Sequence, residues 1–259
     1  MKTRIHFAPN YFYNPTHPIK VALIGVGGTG SLMLARLARI DYALRQVGHP
    51  GLHVIAYDSD KVEPNNVGRQ LYTLSDIGEY KVVNAVCKVN MAFGLQWQGI
   101  PMDALPEGED VRANIIITCV DNARFRVQLA QSIQHHHKGS DYTNKYYWLD
   151  LGNSRNTGQF VLGTLFDEER KMEREDFEMV DKLKNIIDFF PDLDAHDTPN
   201  LQGAGCAYSD KLQEQSLFIN DVLVAHASDC LFRLLYHKQI QKHGAFVNLE
   251  SGKVNSINV

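Results

Sequence analysis

The hydrophobic positions of the chain form short apolar runs that alternate with longer segments of helical periodicity. Ile19–Ile24 and Leu52–Tyr57 are largely apolar, and residues 115–120 repeat this pattern. Between the first two runs, apolar residues recur at helical spacing over residues 31–47. Strands buried on both faces have such continuous apolar runs. The alternation therefore predicts an α/β fold with a Rossmann-like, doubly wound and mostly parallel sheet.

Further elements are expected toward the carboxyl terminus in the same alternation. Helices are predicted over residues 75–92, 123–137 and 216–237, and strands over residues 146–151 and 158–166. Two segments joined by Glu250-Ser251-Gly252, residues 245–249 and 253–259, predict an antiparallel hairpin that extends the sheet.

Three regions complete the predicted domain organisation. Residues 1–18 carry three prolines and no periodicity, so we expect an N-terminal arm. Residues 19–259 are expected to form one domain. Within it, residues from about 167 to 207 are first dense in charge and then polar, which predicts a crossover loop region.

Composition narrows the possible classes of function. The net charge of −4 and the lack of a Lys/Arg stripe argue against a nucleic-acid partner. No apolar run is long enough to span a bilayer and no signal peptide is recognisable, so we expect no membrane partner and a cytoplasmic protein. The four cysteines lie far apart without a C-x-x-C pair, so no structural zinc is expected.

A glycine-rich segment directly follows the first predicted strand. Gly25, Gly27, Gly28 and Gly30 fit the G-x-G-x-x-G pattern between a strand and a helix, where backbone N–H groups can bind phosphate. Asp58 ends the next strand, the position at which an acidic residue binds ribose hydroxyls. A tight turn without a ligand would fit the glycines alone, but their context favours nucleotide binding.

Polar residues further along the chain favour ATP over a nicotinamide cofactor. Asp60, Asn66, Arg69 and Lys81 follow the second strand closely, and Asp121 follows a later strand. Cations beside the phosphates would neutralise the charge that builds up during adenylation, whereas hydride transfer does not need them. Asp121 is the candidate Mg²⁺ ligand, because Mg²⁺ is held by one or two carboxylates together with phosphate oxygens. An NAD-dependent oxidoreductase remains the alternative enzyme class.

These motifs together resemble one protein family. The strings AYDSDKVEPNNVGRQ, TCVDN and GNSRNTGQF, with Lys81 between the first two, are similar to the ThiF/MoeB/HesA family of ubiquitin-activating-type adenylyltransferases. Most narrowly, they resemble the ThiF-type protein of the bacterial PRTRC gene cassette. The resemblance implies that a small ubiquitin-like or sulfur-carrier protein of β-grasp fold is adenylated at its C-terminal glycine, by a homodimer that uses ATP and Mg²⁺.

The resemblance also implies roles for individual residues. The four glycines would contact ATP, Asp58 with Asp60 nearby would hold its ribose side, and Asp121 would coordinate Mg²⁺. The phosphates and the attacking carboxylate would be contacted by Asn66, Arg69 and Lys81. Cys206, in the predicted loop, would capture the activated carbonyl as a thioester, although an idle loop cysteine fits equally well.

Two features of the family pattern are missing from this sequence. The family's paired C-x-x-C motifs are absent, and so is the N-terminal helix that supplies an arginine to the neighbouring subunit. Arg4 is the only arginine before the first predicted strand. A third possible function is that of a non-catalytic relative that binds the small protein without activating it, but every polar position of the ATP motifs carries a competent residue.

Overall fold

A computed structural model of the chain describes residues 2–104, 111–135, 144–165, 176–193 and 215–259. The strands in these ranges are β1 (Thr3–Phe7), β2 (Ile19–Ile24), β3 (Leu52–Tyr57), β4 (Gln98–Ile100), β5 (Ile115–Thr118), β6 (Tyr147–Asn153), β7 (Thr157–Thr164), β8 (Phe177–Met179), β9 (Gln239–Ile240), β10 (Lys242–Asn248) and β11 (Lys253–Asn258). The helices are α1 (Gly28–Gln46), α2 (Lys81–Phe93), α3 (Ala123–His135), α4 (Ile186–Phe189) and α5 (Ile219–His237).

The main sheet has eight strands in the order β11-β10-β7-β6-β5-β2-β3-β4. The five strands from β4 to β6 run parallel, and β7, β10 and β11 are each antiparallel to their neighbour. This architecture confirms the predicted Rossmann-like fold with antiparallel C-terminal strands.

Both faces of the parallel part are buried. Ile115 and Ile117 of β5 point into the core on one side of the sheet, whereas Ile116 between them belongs to the core on the other. A strand covered on both faces has no position for a solvated side chain, which explains its continuous apolar run.

The register of the parallel strands aligns their carboxyl ends. Ile24 of β2 lies opposite both Tyr57 of β3 and Thr118 of β5, and Thr118 lies opposite Asp150 of β6. The loops that follow β2, β3 and β5 therefore leave the sheet at one edge. Ligands of open α/β sheets bind at this edge.

The N-terminal segment is integrated into the fold rather than extending from it as an arm. β1 pairs with β8 and β9 in a second, three-stranded sheet. Phe12 is fully buried in the main core. The sequence does not indicate this strand because both of its partners lie far away along the chain.

Helix boundaries differ from the predicted ones at two places. α1 begins at Gly28, inside the glycine motif. The single helix predicted over residues 75–92 is wrong in its first part, where a 3₁₀ turn (Leu74–Asp76) precedes α2. Gly78, with φ of +92°, separates the two, because a left-handed residue cannot continue a right-handed helix.

The predicted crossover loop is described only in part. The charged segment contains β8 and α4, and residues 166–175 and 194–214 lie outside the described residues, Cys206 among them. Within the described ranges, no helix is both long and apolar enough to cross a bilayer.

Candidate functional site

The glycine loop joins β2 to α1 by close backbone packing. Gly25 has φ of +85° and donates its N–H to the carbonyl of Tyr57 at 2.9 Å. A Cβ at Gly30 would lie 1.8 Å from the carbonyl oxygen of Gly25, far inside van der Waals contact. Gly25 and Gly30 are thus required by the turn itself.

Gly27 leaves the start of α1 open, whereas a Cβ at Gly28 would lie 2.6 Å from the Asn220 Nδ2 atom. Gly27 is the N-cap of α1 and no side chain caps the helix, so N–H groups of the first turn are available to an anion. A Cβ at Gly27 would meet only the Gln70 side chain, at 3.9 Å. The Gln70 Oε1 atom is itself buried without a hydrogen-bond partner. An open helix end beside an unpaired amide fits a bound nucleotide.

Asp58 ties the glycine loop to the end of β3. Its Oδ2 accepts a hydrogen bond from the Val26 N–H at 2.6 Å, and its Oδ1 accepts one from the Asp60 N–H at 2.9 Å. Burial raises the pKa of this carboxyl group, while the two backbone donors oppose the rise. Each oxygen keeps a second lone pair, which a ribose hydroxyl could use.

Lys81 is the first residue of α2 and lies close to the glycine loop. Its ammonium donates to Asp60 Oδ2 at 2.8 Å, although the Lys81 side chain is only 10% exposed and that of Asp60 is 66% exposed. The Tyr72 hydroxyl lies 2.6 Å from the Val26 carbonyl and 3.2 Å from that of Lys81. One side chain thus bridges the loop and the start of α2, and burial raises the pKa of its phenol so that it stays a donor.

Asn66 and Arg69 lie in the segment that connects β3 to α2. Asn66 is engaged locally: its Oδ1 accepts from the Glu63 N–H at 2.9 Å and its Nδ2 donates to Asn65 at 3.0 Å. Arg69 is half-buried, and its Nη2 lies 3.5 Å from Gln215 Oε1. To contact a ligand, Arg69 would exchange this one long hydrogen bond to Gln215, whereas Asn66 would have to break two shorter local ones.

Asp121 lies in the turn between β5 and α3. The preceding residues contact the glycine loop, since a Cβ at Gly25 would lie 2.8 Å from the Cys119 carbonyl oxygen and 3.2 Å from a methyl group of Val120. The Asp121 carboxylate is exposed and has no hydrogen bond or ion pair with any described residue. No three potential metal ligands cluster in the described ranges. One open carboxylate beside the glycine loop is the kind of group that could hold Mg²⁺ on a bound phosphate.

Three polar side chains at this edge were missed by the sequence analysis. Asn220, buried at the start of α5, accepts hydrogen bonds from Thr29 at 3.1 Å and from Asn153. Asp150 and Arg126 form a buried ion pair behind the Asp121 turn. A carboxylate inside the apolar strand predicted at residues 146–151 was the signal that could have revealed this pair.

The described cysteines differ from the sequence interpretation at one position. Cys87, Cys119 and Cys230 occupy apolar helix or strand positions of the sequence, where core residues are expected, but Cys87 is exposed. Burial raises the pKa of the other two thiols, that of Cys230 to about 12. Neither thiol, that of the half-buried Cys119 or that of the buried Cys230, has the character of a nucleophile at neutral pH.

The fold and this edge of the sheet define the class of protein: a Rossmann-like protein with a nucleotide-type glycine loop and a nearly buried lysine at the start of α2. The chain matches the ThiF family over residues 15–162, more than half of its length, and it belongs to that family. No curated protein sequence matches the chain.

Solved structures with the same fold include E. coli MccB and PaaA. MccB solved with ATP is 15% identical to this chain, with a TM-score of 0.56. The match covers 93% of this chain and 63% of MccB. MccB solved with AMPCPP and MccA gives 15% identity, a TM-score of 0.57 and the same coverages. PaaA gives 14% identity and a TM-score of 0.55, over 93% of this chain and 64% of PaaA. At these identities the likeness concerns the fold.

Proposed function

We propose that this protein uses ATP to adenylate the C-terminal carboxylate of a small ubiquitin-like or sulfur-carrier protein. Membership of the ThiF family supports this proposal, and so do the related folds solved with ATP and with the peptide MccA. The narrower resemblance to the PRTRC-cassette protein predicts that the partner is a small β-grasp protein.

The observation that carries the proposal is the position of Lys81. Its ammonium is almost buried at the N-terminus of α2, where the helix dipole disfavours a cation. The exposed Asp60 is its ion-pair partner, and Tyr72 holds this end of α2 to the glycine loop. A cation kept in such a place is suited to an anionic ligand, and the open start of α1 would bind that anion from the other side.

In the proposed reaction, a carboxylate oxygen of the partner attacks the α-phosphorus of ATP. The bond between that phosphorus and the bridging oxygen to the β-phosphate breaks, giving an acyl adenylate and pyrophosphate. The α1 N-terminus, Arg69 and Lys81 would stabilise the charge that develops on the phosphates, and Asp58 would orient the ribose. Asp121 would hold Mg²⁺, which would screen the phosphate charges and favour departure of pyrophosphate.

Three further elements of the proposal concern other parts of the protein. Cys206 would take the acyl group from the adenylate as a thioester, with release of AMP. Two chains would form a homodimer, in which Arg4 of one chain could reach the site of the other. Arg4 is half exposed and only 3.4 Å from Glu178, so it would have to exchange this partner for the neighbouring site.

Nucleotide titrations separate this function from the NAD-dependent alternative. We expect MgATP to bind the wild type and NADH not to bind. Lys81→Met should weaken MgATP binding at least tenfold, about 1.4 kcal/mol. Lys253→Met, which removes an exposed lysine on β11, should change the affinity less than twofold. Binding of NADH without ATP, or an unchanged ATP affinity in Lys81→Met, would contradict the proposal.

A further inference from the structure

A buried ion pair lies directly behind the turn that carries Asp121. Asp150 is 1% exposed and Arg126 is 6% exposed. The Arg126 Nε donates to Asp150 Oδ1 at 2.6 Å. Thr118, the last residue of β5, donates its hydroxyl to the same oxygen, and the Trp148 indole N–H donates to the Thr118 hydroxyl at 2.8 Å. The pair is thus connected to the end of the strand from which the Asp121 turn departs.

The same arginine reaches the turn itself. Its Nη2 donates to the Leu151 carbonyl at 3.1 Å, and its Nη1 lies 3.5 Å from the carbonyl of Asn122, the residue next to Asp121. The Asn122 side chain accepts from the Phe125 N–H at 3.1 Å, which caps α3. The backbone carbonyl and the side-chain oxygen of Asn122 are therefore both held from the helix side, the first by Arg126 and the second by the helix backbone.

Stability alone does not explain this arrangement. A buried ion pair contributes little net stability, because desolvation of the two charges offsets their attraction. The second oxygen of Asp150, Oδ2, is buried without a hydrogen-bond partner, which adds a further cost. The planar guanidinium does provide a fixed geometry: a single rigid group joins β6, at Asp150 and Leu151, to the turn that follows β5.

We propose that Arg126 and Asp150 are positioning residues that hold the Asp121 turn against the glycine loop, so that the Asp121 carboxylate is pre-organised for a divalent cation on the bound nucleotide. This proposal rests on the proposed function. Neither residue needs to touch the nucleotide, and their effect is confined to the cation-dependent part of its binding.

The experiment compares ATP affinity with excess Mg²⁺ and with EDTA. The variants are Arg126→Lys, which keeps the charge but loses the planar fork, and Asp150→Asn. In both we expect the gain in ATP affinity that Mg²⁺ provides to fall at least fivefold, while the affinity in EDTA stays within twofold of the wild type. The matched controls are Arg233→Lys and Asp229→Asn on α5, an exposed pair whose Nε–carboxylate distance is also 2.6 Å, and they should retain the full gain.

Hydrogen exchange provides a readout that does not depend on nucleotide. In both variants the peptide over residues 119–125 should exchange at least tenfold faster, while peptides from β2 and the glycine loop stay unchanged. A retained Mg²⁺ gain, or a parallel loss of affinity in EDTA, would overturn the proposal. If the variants do not fold, hydrogen exchange of the wild type provides the test. Exchange of the 119–125 peptide as slow as that of β5 supports the positioning role. Exchange as fast as that of the exposed turn at Ser251 and Gly252 overturns it. A wild type that binds no ATP would refute the proposed function, whereas the exchange comparison would still test the ion pair.

Discussion

Replacing Gly30 with alanine introduces a single methyl group at the tightest point of the glycine loop. The added Cβ would lie 1.8 Å from the Gly25 carbonyl oxygen and 3.4 Å from the Cys119 Cβ. A Cβ essentially never lies closer than 3.0 Å to such an atom, so either α1 or the loop must move by more than an ångström. The obstructing atom belongs to the backbone of a residue with positive φ, and it cannot rotate away as a side chain would.

The structure allows an approximate magnitude. Overpacking of a core by extra methylenes costs about 1–3 kcal/mol. A backbone clash of this depth belongs at or above the upper end, so we expect a loss of about 3 kcal/mol. For a chain of this size, that corresponds to a drop of roughly 6–12 °C in Tm, measurable by differential scanning calorimetry.

Gly27→Ala is the matched control for this substitution. Gly27 lies in the same loop with φ of −76°, and its added Cβ would come no closer than 3.9 Å to any atom. This variant should lose less than about 1 kcal/mol, mostly through a poorer helix cap. A Tm of Gly30→Ala within 2 °C of the control would refute the argument that close packing requires this glycine.

Three further predictions concern other parts of the molecule. Asp76 is buried and accepts hydrogen bonds from three residues, Thr73, Asn84 and Lys88. Asp76→Ala should therefore lower the free energy of unfolding, measured in urea, by about 2–3 kcal/mol. A loss below about 1 kcal/mol would contradict this expectation. Burial lowers the pKa of His49 from 6.5 to about 4, which favours the neutral ring in the folded state. The stability that this ring contributes is complete above pH 6.5 and is lost as the pH falls toward 4. His49→Asn should therefore flatten the dependence of Tm on pH between these two values. An unchanged slope would exclude His49 as the origin of this dependence. Finally, iodoacetamide should modify the exposed Cys87 in the native protein but react with Cys119 and Cys230 only after unfolding. Peptide masses identify the labelled residue. Labelling of Cys119 or Cys230 in the native protein would contradict this prediction and show that the surroundings of that thiol open.

The strands of the parallel sheet could be predicted because burial imposes a local pattern. Ile19–Ile24 and Leu52–Tyr57 were predicted with the bounds that the structure shows. β1 could not be predicted, since its partners are residues of β8 and β9 that lie far away in sequence. β4 has only three residues, too few to display a periodicity.

The same distinction applies to the candidate site. The glycines and Asp58 could be placed from the sequence because they lie next to predicted strands, and the structure also brings Asp60 to Lys81. Asn220 was missed because its contact with Thr29 spans 191 residues. Arg126 was missed because its partner is on another element, and a lone arginine on a helix is usually a surface residue.

The most direct test of the account is exchange of labelled pyrophosphate into ATP in the presence of Mg²⁺, with a panel of small ubiquitin-like proteins that end in glycine. Wild type, Asp121→Ala and Cys206→Ala should be compared. We predict exchange that requires a panel member, that is lost in Asp121→Ala and that is retained in Cys206→Ala, since a thioester would form only after adenylation. Binding of ATP and of a panel member without any exchange would contradict the adenylation claim and would favour a non-catalytic, carrier-binding protein.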